Sequence, residues 1–481
     1  MKSHFSLMIP NVEHSDSVLE VCAPFNGQVI ATIETADHAA VEMALTTADT
    51  LFRNRSAWLS AEKRISILEK AAKIMEECAE SLASDAANEG GKPLQDSRVE
   101  VARAIDGVKT CVDCLRGEAG REIPMGKNAG SSHRLAFTRL EPIGPVVAVS
   151  AFNHPLNLII HQVVPAIAVG NPVIVKPAED TPLSCYRFVE ILREAGLPEA
   201  WCQSLVVDDM DVATSLVTDS RVAFFSFIGS SRVGWMLRSK LAPGTRCALE
   251  HGGAAPVIIT EDADIDKAIP LLAKGGFYHA GQVCVSVQRI FCHEGIAKKV
   301  AQRLASFAEK MQVGDPLDSN TEIGPLIRSR EIDRVHEWVV EANKSGAEIL
   351  TGGTPLSESC YPPTVLYNPP GEARVSREEI FGPVVCVYPY GDLDTAIEQA
   401  NSLPVAFQSA VFTQDIDAAL YISQRLDASA VMVNDHTAFR TDWMPFSGLR
   451  QSGMGVGGIP YTFHEMQTEK MTVFHSDAII D

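Results

Sequence analysis

The chain has 481 residues, too long for one hydrophobic core, and the usual domain size divides it into about three. Hydrophobic residues at 46% and charged residues at 21% are globular proportions, which exclude extensive disorder. With 41 basic against 61 acidic residues the net charge is −20, which argues against nucleic acid or an anionic membrane as a main partner, because both select a basic footprint.

Eleven cysteines in so long a chain, without a regular framework, point to a reducing compartment. Residues 1–16 lack the sustained apolar core of a signal peptide, so a cytoplasmic protein is expected. Residues 142–175 carry no formal charge. Five prolines together with Asn153, His154 and His161 interrupt them, and buried strands and a buried helix fit better than a membrane span.

In chain order, residues 16–34 alternate weakly around Asn26-Gly27, a hairpin signal. Helical periodicity runs from Asp37 to Phe52. It resumes from Ser60 to Asn88, with apolar residues three or four apart, and stops at Glu89-Gly90-Gly91-Lys92-Pro93. A third helix is predicted over Ser97–Leu115. Its Cys111 and Cys114 form a C-x-x-C that reads as packing, since no second pair is present to complete a zinc site.

From Gly144 short apolar runs alternate with helices, the pattern of an α/β protein with a parallel sheet. Strands are predicted at Val146–Ala151, Pro172–Val175 and Val222–Ile228, a helix at Pro155–Ala168, and a last strand at Glu469–His475. The stretch from Glu261 to Ile269 looks briefly like a calcium loop. Lys267 stands where that loop needs glycine and Ala273 where it needs glutamate, so no metal is expected.

The chemistry concentrates between Leu249 and Arg289. Cys284 can attack a carbonyl as thiolate, and Glu250 can activate a water to release the acyl group. Gly229-Ser230-Ser231-Arg232-Val233-Gly234 follows a strand and opens a helix. Its backbone N–H groups can face a pyrophosphate, although a plain tight turn reads equally well. Lys176 and Glu179 end a strand at the edge where open α/β sheets bind ligands, or are two solvated loop charges. Asn153 is an amide donor at another strand end, or a cap for the following helix.

Taken together these motifs resemble the aldehyde dehydrogenase superfamily. Glu250-His251-Gly252-Gly253 precedes Gly281-Gln282-Val283-Cys284, with the cysteine 284 − 250 = 34 positions after the glutamate. Phe227-Ile228-Gly229-Ser230 with Gly234, Glu378-Glu379-Ile380-Phe381-Gly382-Pro383, and Pro445-Phe446-Ser447-Gly448 with Ser452-Gly453 follow in family order. The resemblance implies a Rossmann-like cofactor domain (1–118 and 139–249), an α/β catalytic domain (250–458), and oligomerisation segments (119–138 and 459–481). A homodimer or homotetramer is implied.

It also implies roles. Cys284 is the nucleophile, Glu250 the general base, and Asn153 the oxyanion donor beside the Cys284 backbone N–H. Ser150, Phe152, Lys176, Glu179, Gly229, Ser230, Val233, Gly234, Glu379 and Phe381 bind the cofactor. A carboxylate at Glu179 suits the ribose hydroxyls of NAD and repels the 2′-phosphate of NADP. His251 and Ala254 depart from the leucine and lysine usual in the family.

By the same alignment the funnel to the cysteine is lined by Arg103, His154, His161, Tyr278, Arg440 and Phe446. Unpaired buried cations are costly, so two arginines and two histidines there call for an anionic partner. Either the substrate supplies it, as a short aldehyde carrying a carboxylate, phosphonate or sulfonate, or local acids such as Asp106 or Asp442 do. Val283 is not the arginine that often precedes the cysteine in relatives using phosphorylated or phosphono aldehydes, so a semialdehyde, a lactaldehyde-like or a sulfonated substrate stays open. The alternatives are a cofactor-independent cysteine hydrolase and a non-catalytic binding protein.

Overall fold

The Asn26-Gly27 turn closes antiparallel strands Val18–Cys22 and Val29–Glu34, with Gly27 at φ 71°, a region that L side chains rarely occupy. The structure is a computed structural model that describes residues 4–12 and 14–480. Asp37 caps helix His38–Arg53 by accepting from the Ala40 N–H.

The periodic stretch after Ser60 is two helices, Ala61–Glu77 and Ala79–Gly90, where one was predicted. Cys78 leaves helical geometry at φ −113° and ψ 19°, while the apolar spacing continues through Leu82 and Ala83. Periodicity reads which face is buried and cannot register a break that keeps that face in phase. The next helix is Leu94–Gly117; Cys111 on it is packed in the core. Asp264, from the supposed calcium loop, caps helix Ile265–Phe277 instead.

Two parallel sheets carry the fold. The first has strand order Gly453–Met454, Arg246–Glu250, Phe224–Ile228, Val146–Val149, Val173–Lys176, Cys202–Ser204, parallel except at the Gly453–Met454 edge. Apolar clusters cover both of its faces, with helices Asn157–Val169 and Leu183–Glu194 on one and His38–Arg53 on the other. Strands of this kind, buried on both sides, are continuous apolar runs, which is why the sequence announces them.

The second sheet runs Glu348–Thr351, Thr364–Tyr367, Val384–Tyr390, Val287–His293, Ala255–Ile259, Gln408–Phe412, Ala430–Val433, again parallel save for its first strand. A third, antiparallel sheet joins Gln467–His475 to Arg134–Pro142 and Glu122–Ile123. Helix Ile459–Glu465 precedes it and buries Ile459 and Phe463 in the first sheet's core. Among the described residues, no helix is long and apolar enough to cross a membrane.

Candidate active site

In the first sheet the chain runs outward from Val146–Val149 through Val173–Lys176 to Cys202–Ser204, then returns to the other side of Val146–Val149 with Phe224–Ile228. The connections therefore diverge at the carboxyl end of Val146–Val149, the place where open α/β sheets form a ligand crevice. Ser150, Phe152 and Asn153 follow that strand, Lys176 and Glu179 follow its neighbour on one side, and Gly229 and Ser230 its neighbour on the other. Glu250 ends the next strand, and its carbonyl accepts the Gly229 N–H at 3.0 Å.

The crevice suits a dinucleotide. Ser230 caps helix Ser231–Arg238 by backbone only, so its side chain does not occupy the N–H groups of the first turn. Gly234 allows His251 to pack there, because a Cβ would lie 2.0 Å from the imidazole Cε1. The ring stands edge-on between Phe227 and Trp235, and its Nδ1 bonds the Gly229 carbonyl at 3.0 Å. His251 thus fills the space of the usual leucine and ties the glycine turn to the base-bearing loop. Val233 packs against the apolar cluster on that face. Lys176 and Glu179 form an ion pair. Burial pushes the Glu179 carboxyl up, but Lys176 prevails and holds it below the usual range. The Ser150 hydroxyl is buried without a protein partner. Phe152 meets the Phe381 ring edge-on at 5.9 Å.

The glycines beside Glu250 are explained by close approach. A Cβ on Gly252 would lie 1.8 Å from Glu379 Oε1, and the Gly253 N–H donates to that oxygen at 3.1 Å. Burial pushes the Glu379 carboxyl up to about 8 against the Gly253 N–H and Arg334. Ser452 anchors the same loop: its carbonyl takes the His251 N–H at 2.9 Å, and its hydroxyl donates to the Gly252 carbonyl at 2.8 Å.

The cysteine loop is shaped by left-handed residues at His279, Ala280 and Gly281, the last with no room for a Cβ, which would sit 2.1 Å from the Gly382 carbonyl. The Gln282 side chain ties this loop to the His279 and Pro325 carbonyls and to the Ile327 N–H. Its carbonyl accepts one Asn153 amide hydrogen at 2.9 Å. Asn153 is thereby fixed beside the cysteine loop by the Gln282 backbone carbonyl, which takes one of its two amide hydrogens.

Cys284 is half-buried and shares an apolar cluster with Phe446, Phe407, Tyr278 and Val283. Burial pushes its thiol up to about 12; Arg440 opposes the shift, and the Glu250 and Glu379 carboxylates add to it. Glu250 is raised too, by burial first, with Arg440 opposing and Glu465 adding. Its carboxylate rests against Gly457, where a Cβ would approach Oε1 to 2.1 Å.

The basic funnel residues do not act alike. Arg103 forms a two-pronged ion pair with Asp442, at 3.1 Å from Nε to Oδ2 and 2.8 Å from Nη2 to Oδ1. His161 donates to Asp442 at 2.7 Å, and His154 shares a 3.3 Å hydrogen bond with Tyr278. Burial keeps both imidazoles neutral, His161 down to about 4. The neighbouring Lys274 pairs with Asp96 at 2.6 Å, and Lys92 with Glu100.

Arg440 differs. It lies 3.5 Å over the Phe446 ring and reaches His161 Nδ1 at 3.4 Å, its Nε is buried without a partner, and no carboxylate among the described residues lies within ion-pair distance. The four-cation funnel read from the sequence reduces to one partly buried cation without a carboxylate among the described residues. Two residues that shape this site carry no strong sequence signal, Phe407 against Phe446 and Gly457 against Glu250, whereas Asp442, expected as a possible local acid, is the partner of Arg103.

A half-buried thiol, an amide donor and a buried carboxylate beside a dinucleotide crevice fit the class of dehydrogenases that oxidise aldehydes. Residues 11–472 match the model of the aldehyde dehydrogenase family, and the chain belongs to that family. A 3-sulfolactaldehyde dehydrogenase of Priestia aryabhattai is 37% identical, with 95% of each chain covered. The crystal structure of aldehyde dehydrogenase 21 from Physcomitrella patens, in complex with the reaction product succinate, superposes with a TM-score of 0.95 at 32% identity over 100% of both chains. That of glyceraldehyde-3-phosphate dehydrogenase GapN from Methanocaldococcus jannaschii, complexed with NADP, gives 0.91 at 34% identity, covering 97% of this chain and 100% of its own. The protein is an oxidoreductase that converts small polar aldehydes to acids with a nicotinamide cofactor. Family membership replaces the hydrolase and binding-protein alternatives.

Proposed function

We propose that the protein oxidises a short aldehyde whose far end carries an anionic group, a carboxylate or sulfonate, and that NAD is the preferred cofactor. The observation that carries this reading is Arg440, a partly buried guanidinium with a buried Nε and no carboxylate partner among the described residues. Leaving such a charge unpaired is expensive, and a planar fork of donors is suited to an oxyanion. The succinate held by the Physcomitrella patens relative and the sulfonated substrate named for the Priestia aryabhattai relative are small anions of this kind. Glu179, beside Lys176 at the ribose edge, favours NAD by repelling a 2′-phosphate.

In this reading Cys284 adds to the aldehyde carbon, and the free Asn153 N–H with the Cys284 backbone N–H receives the oxyanion. A nicotinamide held in the crevice would supply the hydride acceptor, and Cys284 would then carry the acyl group as a thioester. Glu250 then takes a proton from water, and hydroxide displaces the thiolate and frees the acid. Ser150, Gly229, Ser230, Glu379, Phe152 and Phe381 hold the cofactor. Residues 1–118 and 139–249 act as the cofactor half and 250–458 as the catalytic half. The sheet of Gln467–His475 and Arg134–Pro142, with exposed Leu135, Met471, Val473 and Phe474, docks a second copy of the chain.

The test is Arg440→Gln assayed on succinate semialdehyde and propionaldehyde. Loss of a charge-assisted contact is expected to lower kcat/KM for the anionic aldehyde by roughly 30- to 1000-fold more than for the neutral one. Equal losses on both would refute the anion reading.

A further inference from the structure

We propose that His161 and Asp442 are positioning residues for Arg440, forming a directed chain that fixes the guanidinium while leaving it free of a carboxylate. The inference rests on the reading of Arg440 as the anion contact and names what makes that contact selective. Asp442 is almost fully buried and accepts four hydrogen bonds, two from Arg103, one from the Asn157 amide at 3.0 Å and one from His161 Nε2 at 2.7 Å. Three of the four fall on Oδ1 and one, from Arg103 Nε, on Oδ2, so Asp442 is committed to Arg103, Asn157 and His161. Arg440, two residues away in the chain, does not bond to it directly.

His161 carries the influence across. Asp442 only accepts, so Nε2 must donate; arginine only donates, so Nδ1 must accept from Arg440 Nη2, seen at 3.4 Å. Both ends demand one neutral tautomer, with the proton on Nε2. Helix Asn157–Val169 supplies the geometry, because Asn157 and His161 are one turn apart on the face that meets Asp442. Phe446 stacks under the guanidinium at 3.5 Å and holds its plane. One edge of Arg440 is thus occupied by His161, and no carboxylate among the described residues takes its other N–H groups.

The chain makes a specific demand on substitutions at position 161. Asparagine Oδ1 falls near the place of imidazole Nδ1 and preserves the acceptor for Arg440. Glutamine Nε2 falls near imidazole Nε2 and preserves the donor to Asp442. We would measure kcat and KM per active site, counted by the single-turnover NADH yield, for succinate semialdehyde and propionaldehyde.

His161→Leu is expected to lower the anionic-to-neutral ratio of kcat/KM by about five- to tenfold through KM of the semialdehyde, the scale of one hydrogen bond. His161→Asn should recover most of that ratio and His161→Gln little of it. Recovery by glutamine and not asparagine would mean that His161 only buttresses Asp442, and an unchanged ratio in His161→Leu would also overturn the proposal. If Arg440→Gln fails to shift the ratio, the anion reading itself falls. If Arg440→Gln shifts it and His161→Leu does not, only the positioning chain falls.

Discussion

Gly457→Ala isolates the base from the nucleophile without touching either. The added methyl would start 2.1 Å from Glu250 Oε1 and 3.0 Å from the Phe446 carbonyl. Contact with a carboxylate oxygen needs more than 3 Å, so the carboxyl group must retreat by about 1 Å, which a glutamate can do by turning about its side-chain bonds. Gly457 has no left-handed backbone requirement, so the fold should tolerate the change, with Tm lowered by only a few degrees, as roughly 1 kcal/mol of local strain would give. Function should not tolerate it, because misplacing a reacting group by about 1 Å costs about 10²-fold.

On the proposed mechanism the thioester would form without Glu250 and would be hydrolysed with it. Stopped-flow absorbance should therefore show one NADH per site in a fast phase, followed by steady turnover slowed about 10²-fold, as in Glu250→Gln. An unchanged steady rate, or loss of the fast phase together with it, would show that Glu250 does not act from its position against Gly457.

Other outcomes follow from the same geometry. Cys284→Ala should abolish NADH formation while the cofactor still binds; turnover in that variant would remove Cys284 as nucleophile. Because the Cys284 thiol is pushed up to about 12, alkylation of the free enzyme by iodoacetamide should rise about tenfold per pH unit from 7 to 9. Arg440→Gln should slow it at each pH, since Arg440 favours the thiolate, and a plateau below pH 8 would contradict this. Gly252→Ala should displace Glu379, whose Oε1 lies 1.8 Å from the new Cβ, and raise KM for NAD more than tenfold with a lesser effect on KM for aldehyde; the reverse order would unseat Glu379 from the cofactor side. Phe474→Asp on the exposed terminal strand should lower the mass seen by light scattering if that sheet joins two copies.

What the linear chain determined was whatever a short segment decides for itself. Strands buried on both faces are apolar runs, Asp37 and Asp264 cap the helices they precede, and Asn26-Gly27 turns a hairpin, all within a few residues. The thiol, the carboxylate and the amide could be singled out through the resemblance of the motifs around them to a known family. Gly252 admits Glu379, Gly281 admits the Gly382 carbonyl, and Gly234 admits His251, so the spacing of glycines preserves the imprint of the site.

The charge balance of the funnel was decided by tertiary structure alone. Arg103 and Asp442 are 339 residues apart, His161 and Asp442 are 281 apart, and no periodicity links them. Composition counts cations and local pattern places them on elements. Whether a buried cation is satisfied depends on which lone pairs point at it once the sheets are packed. Asp442 could have neutralised either arginine. Three dimensions give it to Arg103, Asn157 and His161 and leave Arg440 without a carboxylate within ion-pair distance among the described residues.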